Sequence, residues 1–246
     1  MRDDLLDAEA AVDWAVAQIR ILHRRITRWL ERGPYFAVTV PDSQPGKELV
    51  RVKEREPIPP AVNVEAGAII NMLRTSLDLL AVTLAERNGY ERPKDIYFPI
   101  TGSVMEFIDP VDGAVKKLKR LAEADRLAVE QIRPYPGGDE RLYSLHQLDQ
   151  LRRQHRLVVV SARPRSMGLI SCGSNSEPEY LYAGKVEEGA PLFRLPAGSN
   201  AKVDLRIEVT FADTPYANGR PVVTTLRDFA TRTQEIIAKF DHQPVA

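Results

Sequence analysis

RLYSLHQLDQLRRQHRLVVVSARPR, residues 141–165, is where the chain changes period. Up to about residue 156 the leucines and the polar residues fall on separate faces at three- and four-residue spacing, the mark of a helix. From Leu157 the pattern becomes a continuous apolar run, Leu157–Ala162, suited to a central strand. Long helical patterns precede this junction and strand patterns follow it. Helices that flank a sheet, instead of alternating with its strands, predict an α+β fold and argue against a doubly wound parallel sheet.

Upstream, Leu5, Val12, Val16, Ile19, Leu22, Ile26 and Leu30 mark one face of a long amphipathic helix that Gly33-Pro34 ends. Tyr35–Val40 and the segment around Val50 and Val52 predict a hairpin joined by PDSQPGK. A second long helix follows, with Asn63 as its expected N-cap, a stripe through Ala66, Ile69 or Ile70, Leu73, Leu77, Leu80 and Leu84, and Asn88-Gly89 at its end. Residues 105–133 predict one or two more helices with Leu118, Leu121, Leu127 and Ile132 in the core. Pro134, Pro136, Gly137 and Gly138 break the pattern before a helix starting near Asp139.

Downstream, Tyr180–Lys185 and Leu192–Leu195 read as short strands. Val203, Leu205, Ile207, Val209 and Phe211 alternate with polar residues, so the odd-numbered side chains are expected in the core. Asn218-Gly219 marks a turn. A last helix is expected from Thr225, with Phe229, Ile236, Ile237 and Phe240 as its stripe. The expected architecture is one α+β domain over residues 1–246, its long amphipathic helices packed with a mostly antiparallel sheet that the N-terminal hairpin joins. It is helix-rich over 1–155, strand-rich over 156–223, and closed by a helix over 224–241. An independent all-helical half is the competing picture.

Lysine plus arginine and aspartate plus glutamate number 34 each, so the global charge offers no support for a nucleic-acid or anionic-membrane protein. The single cysteine, Cys172, excludes an internal disulfide and a Cys-rich zinc site. The acidic N-terminus lacks the features of a signal peptide, and no run is expected to be long and apolar enough to span a bilayer. The expected location is the cytoplasm.

Two polar constellations stand out. Asn71, Arg74 and Asp78 lie at i, i+3 and i+7 and border the stripe of the second helix. A solvated face with an i,i+4 surface pair is the plain account. Yet the border position predicts that Arg74 and Asp78 face the later helix, because two stripes meet there. On that helix Tyr143, His146, Asp149 or Gln150, and Arg153 share a face, with His155 and Arg156 at its end. His146, Asp149 and His155 are the candidate acid–base groups. Arg74, Asp78, Arg153 and Arg156 are the candidate ligand-binding groups. Arg163 and Arg165, two apart on an extended segment, are expected to point the same way and to extend an anion site. The structural alternative is a hydrogen-bonded His146–Asp149 pair, with arginines favoured at a helix C-terminus by its dipole. The histidine spacing suits no single metal ion. No HExxH, GxSxG, Walker or GxGxxG motif is present, so no metal and no cofactor is expected.

Asn71-Met72-Leu73-Arg74-Thr75-Ser76-Leu77-Asp78-Leu79, Phe98-Pro99-Ile100, Arg133-Pro134-Tyr135, Leu145-His146-Gln147-Leu148-Asp149 and Arg153-Gln154-His155-Arg156 occur in that order. Together they resemble a widespread bacterial family with the pattern HNLRSALDHL, FPI, QPY and LHxLxxxDKHR, for which no activity is established. The family's two histidines on the second helix fall on Ile70 and Leu79 here, so a chemistry resting on them would be lost. Arg152-Arg153-Gln154 replaces the family's Asp-Lys. Arg141 and His146 also match by number the Arg-x4-His spacing of the HEPN group of helical RNA-cleaving proteins, although five residues of helix set them well apart in angle.

Three functions follow as expectations. The first is an interaction or regulatory protein whose polar cluster is structural. The second is a metal-independent phosphodiesterase acting on RNA through His146 or His155, with arginines stabilising the developing charge. The third is a binder of a small anionic ligand. Whether the chain is an enzyme is left open, no membrane partner is expected, and a homodimer is compatible with all three. Buried and mutually paired polar groups would favour the first; an open pocket would favour the others.

Overall fold

A computed structural model gives the structure of the chain. It describes residues 3–91, 95–109, 111, 113–154, 160–171, 173, 177–182 and 186–241. The elements, in order, are α1 (Leu6–Glu31), β1 (Tyr35–Pro41), β2 (Lys47–Glu54), α2 (Pro60–Arg87), α3 (Val104–Ile108), α4 (Ala114–Leu118), α5 (Glu123–Ile132) and α6 (Glu140–Arg153). After these come β3 (Val160–Ser171), β4 (Glu179–Tyr180), β5 (Pro191–Pro196), β6 (Lys202–Phe211) and α7 (Val222–Lys239). Every strand pairing among the described residues is antiparallel. The fold is α+β.

Two compact units divide the chain. A helical unit comprises Met1–Leu22, Val64–Val158 and Val223–Ala246, and a sheet unit comprises His23–Asn63 and Val159–Val222. In the helical unit, Leu5, Val12, Ile19 and Leu22 of the first segment are buried. So are Ile69, Ile70, Leu73, Leu77, Leu80 and Leu84 of α2, Phe229, Ile236 and Ile237 of α7, and Phe240 just after it. Each set recurs at helical spacing, which is why the sequence disclosed these helices.

Several boundaries differ from expectation. α2 starts at Pro60, three residues before the expected cap Asn63, because proline at a first helical position gives up only an N–H that would be unpaired anyway. α7 starts at Val222, three residues before the expected Thr225, and Pro221 just before it bridges to Thr210 of β6. Residues 105–133 hold three short helices, and Leu127 is exposed, not core. The buried face of α5 runs through Asp125, Val129 and Ile132, and Leu127 lies roughly opposite it. α2 is, by length and composition alone, apolar enough to cross a membrane, contrary to expectation. Arg74 and Asp78 interrupt its run, and over half of its most apolar window (56%) is buried in the structure.

In the sheet unit the hairpin β1–β2 does join later strands, giving the order β1-β2-β5-β4. It does not join all of them, because β3 and β6 form a separate two-stranded sheet. Among the described residues, the expected central strand is therefore a strand with one partner. Its residues 157–159 lie outside the described residues, as do 183–185 of the expected strand after Tyr180. β3 is bulged between Pro164 and Ser166, where a proline cannot serve a regular ladder. The odd-face expectation for β6 fails in detail: Val209 and Phe211 are buried, but Val203, Leu205 and Ile207 are half-buried and Thr210 is fully buried. The chain after β6 turns back beside the end of the strand, with Phe211 N–H donating to Arg220 O (3.0 Å) and Gly219 N–H to Phe211 O (2.8 Å).

Candidate functional site

The helical unit brings Asn71, Arg74 and Asp78 of α2 against His146 and Asp149 of α6. Their periodic placement puts each set on one face, and the buried leucines beside them set how the two helices meet. α6 itself is positioned from its start. Asp139 is the N-cap, its carboxylate accepting from Leu142 N–H at 3.0 Å and from Arg232 Nε of α7 at 2.5 Å. The preceding turn is tight: Arg133 has φ 55°, and a Cβ on Gly138 would lie 2.2 Å from Arg133 O.

Arg74 is 3% exposed, so the solvated-face account is wrong for it. Its guanidinium pairs with Asp78 Oδ1 (2.5 Å), donates to Phe98 O (2.8 Å), and donates through Nε to His146 Nδ1 (3.3 Å). The same Asp78 oxygen accepts from Phe98 N–H at 2.9 Å. The ion pair thus holds both backbone groups of Phe98, whose ring is 0% exposed. Thr101 N–H then donates to Pro134 O at 3.1 Å, tying the FPI segment to the turn that leads into α6.

A second knot centres on Asp149, whose side chain is 1% exposed. It accepts from Asn71 Nδ2 (3.2 Å) and Arg152 Nε (3.2 Å) and pairs with Arg153 Nε (2.8 Å). The two arginines at the end of α6 therefore direct charge inward to a buried carboxylate.

Burial, and then the positive charge of Arg74, lower the pKa of His146 to about 4. Because Nδ1 accepts a hydrogen bond, the neutral imidazole carries its proton on Nε2. Burial raises the Asp78 carboxyl against the pull of Arg74. It also disfavours the charge on Arg74, but a guanidinium holds its proton through any such shift.

His155 and Arg156 lie outside the described residues. Arg163 and Arg165 belong to the sheet unit and do not share a direction: Arg163 is half-buried and donates to Asn218 Oδ1 (3.1 Å), while Arg165 is exposed. The bulge after Pro164 breaks the two-residue alternation that would have aligned them. Arg141 pairs with Glu235 of α7 (3.7 Å) and His146 with Arg74, so the Arg-x4-His spacing brings no shared site. Among the described residues, no group of three or more histidines, cysteines and carboxylates could hold a metal ion. A cavity of about 340 Å³ opens at the other end of α6, lined by Ile132, Arg133, Gly138, Asp139, Glu140, Arg141 and Arg232, and none of the cluster residues lines it.

Sequence reasoning missed Phe98, because its part is played by backbone atoms, which no side-chain pattern reveals. It also missed Arg152 as a partner of Asp149. The i,i+3 spacing was the available signal, and Arg153, expected to hold an anionic ligand, pairs with Asp149 as well. Comparison of the chain with profiles of known protein families, with curated proteins and with solved structures gives no match in any of the three.

Proposed function

We propose that the chain has a structural or interaction role and that the Arg74–His146–Asp149 cluster locks α2, α6 and the Phe98 segment together without doing chemistry. One observation carries this: Arg74, 3% exposed, gives all three of its nitrogens to acceptors of its own chain. A buried guanidinium with each nitrogen already held by its own chain is closed to an incoming ligand, and its desolvation cost is offset by the partners it holds.

Phosphodiester cleavage needs a group that exchanges protons near neutral pH and a cation free to meet developing charge. His146, with a pKa of about 4, stays neutral, and its Nδ1 is occupied. Arg152 and Arg153 are paired with Asp149. In the bacterial family that the chain resembles, the helix histidines correspond to Ile70, which is fully buried, and to Leu79, so imidazole chemistry at those places is lost here. A cytoplasmic location goes with this proposal, since nothing in the cysteine content calls for an oxidising compartment.

The test is a thermal-shift screen of inorganic phosphate, nucleotides and short RNAs, run with an RNA-cleavage assay, on wild type and on Arg74→Met, His146→Ala and Arg153→Gln. The expected result is no stabilisation of wild type by any anion, no cleavage, and a lower Tm in the Arg74 and His146 variants. Cleavage by wild type that His146→Ala abolishes with little change in Tm would overturn the proposal.

A further inference from the structure

The outer face of α1 carries a second apolar stripe. Ala10, Trp14, Ala17 and Ile21 recur at spacings of four, three and four, with Leu6 one turn earlier. Each is exposed: Leu6 at 53%, Trp14 at 42% and Ile21 at 39%, with both alanines in the exposed class. The buried stripe of the same segment, Ala8, Val12, Ala15, Ile19 and Leu22, is offset from it by two residues. Two residues of helix turn by about 200°, so the stripes lie on opposite sides. An exposed seam at heptad spacing on a well-formed helix is a helix-pairing surface.

We propose that this face pairs with the same face of a second copy of the chain, the two α1 helices running antiparallel about a two-fold axis near residues 15 and 16. Charge selects this occupant. Within α1 every acid before the final residue lies in the N-terminal half, at Asp7, Glu9 and Asp13, and every lysine or arginine lies at Arg20 or beyond. A parallel pair would set acid beside acid. The antiparallel pair sets Asp13 beside Arg20 of the second copy, and the reverse, on the flank of the seam, and both residues are exposed. Shape selects the same register. About that axis Trp14 meets Ala17 of the second copy and Ile21 meets Ala10, so each large side chain faces a small one. A two-fold contact repeats each of these pairings twice.

The surface continues past the helix. Leu6 and Ala10, with Ile237 and Ala238 of α7, line an apolar groove of about 410 Å³ in the helical unit. Stable contacts take about 800 Å² from each partner, more than one helix face supplies, and the groove adds apolar area beside the seam. The groove's rim is acidic: burial, then Asp241 and Asp13, raise the Glu9 carboxyl, so this end gains from the cations a second copy brings. The dimer involves none of the buried cluster and stands whether or not that cluster is structural.

The test is mass by sedimentation equilibrium of the full chain, whose monomer is 27.6 kDa. Wild type is expected at twice the monomer mass. Asp13→Arg and Arg20→Asp should each weaken self-association about tenfold or more, because each sets two like-charge contacts across the axis. The double variant should recover the wild-type association. Both positions are exposed, and unchanged circular dichroism and Tm would show that the variants fold. Trp14→Ser, also on the exposed face, should dissociate the dimer independently of charge. A monomeric wild type at tens of micromolar protein, a dimer that Trp14→Ser leaves intact, or single charge variants whose combination does not restore association would each overturn the proposal.

Discussion

At the residue scale, the chain keeps a charged pair inside an apolar helix by tying it to the backbone and to a second helix. Arg74 and Asp78 are one helical turn apart, a spacing that on a surface contributes only a few tenths of a kcal/mol. Inside, the same pair is tied to the backbone of Phe98 and to His146. Arg74→Met should therefore cost about 3–5 kcal/mol in urea unfolding, because it strands the Asp78 carboxylate. Arg74→Met with Asp78→Leu should cost less than the sum of the two single changes, and strict additivity would show that the pair does not act as a unit. His146 sets a pH window. Its folded pKa of about 4 lies below the ordinary 6.5, so between these values the unfolded chain binds a proton that the folded chain refuses. Its contribution is full above about pH 6.5 and falls as pH drops toward 4, each tenfold displacement of the proton equilibrium being worth about 1.4 kcal/mol before solvent screening is discounted. Asp78, raised by burial, acts with the opposite sign over the carboxylate range. Comparison with His146→Gln, whose amide oxygen can still accept from Arg74, isolates the histidine: the variant should lose stability less steeply from pH 6.5 to 4.5. Parallel curves would mean that His146 is protonated normally in the fold.

At the element scale, the strand whose alternation was cleanest in sequence is buried in a different pattern. Polar–apolar alternation reports which side chains prefer the core, but it does not report how much core each stretch of strand meets. β6 meets it only toward its end, where Val209, Thr210 and Phe211 are all buried. Phe211→Ala should cost about 3–5 kcal/mol, as large core truncations do. Ile207→Ala, at a half-buried position, should cost clearly less, and equal losses in chemical denaturation would refute the observed burial. The start of α6 follows the opposite logic, being local and legible. The sequence placed a helix start near Asp139, and the structure adds that its carboxylate caps Leu142 N–H and takes a tertiary tie from Arg232.

At the scale of the whole molecule, the helical unit is assembled from three separated stretches of chain. α7 supplies Leu226, Phe229, Ile236 and Ile237, and Phe240 follows at its end, all at most 2% exposed; Arg87 of α2 donates to Phe240 O at 3.1 Å. A chain stopped at residue 221 should therefore keep much of its helix content by far-ultraviolet circular dichroism while losing its cooperative thermal transition, since the remaining helices would expose the faces that α7 covers. A sharp, wild-type-like transition in the truncated chain would show that α7 is dispensable to the helical core.

The sequence by itself determined the long helices, the hairpin, the helix start near Asp139 and the α+β class, because period and turn chemistry are local properties of consecutive residues. It also marked Arg74, Asp78, His146 and Asp149, because polar residues at the border of two apolar stripes have few places to go. Only the tertiary structure decided the division of the strands into two sheets, since partner choice depends on residues more than a hundred positions apart, as in the pairing of Val50 with Phe193. Only it decided that each nitrogen of the Arg74 guanidinium is held, because two of its acceptors, the carbonyl of Phe98 and the Nδ1 of His146, are brought to it by folding.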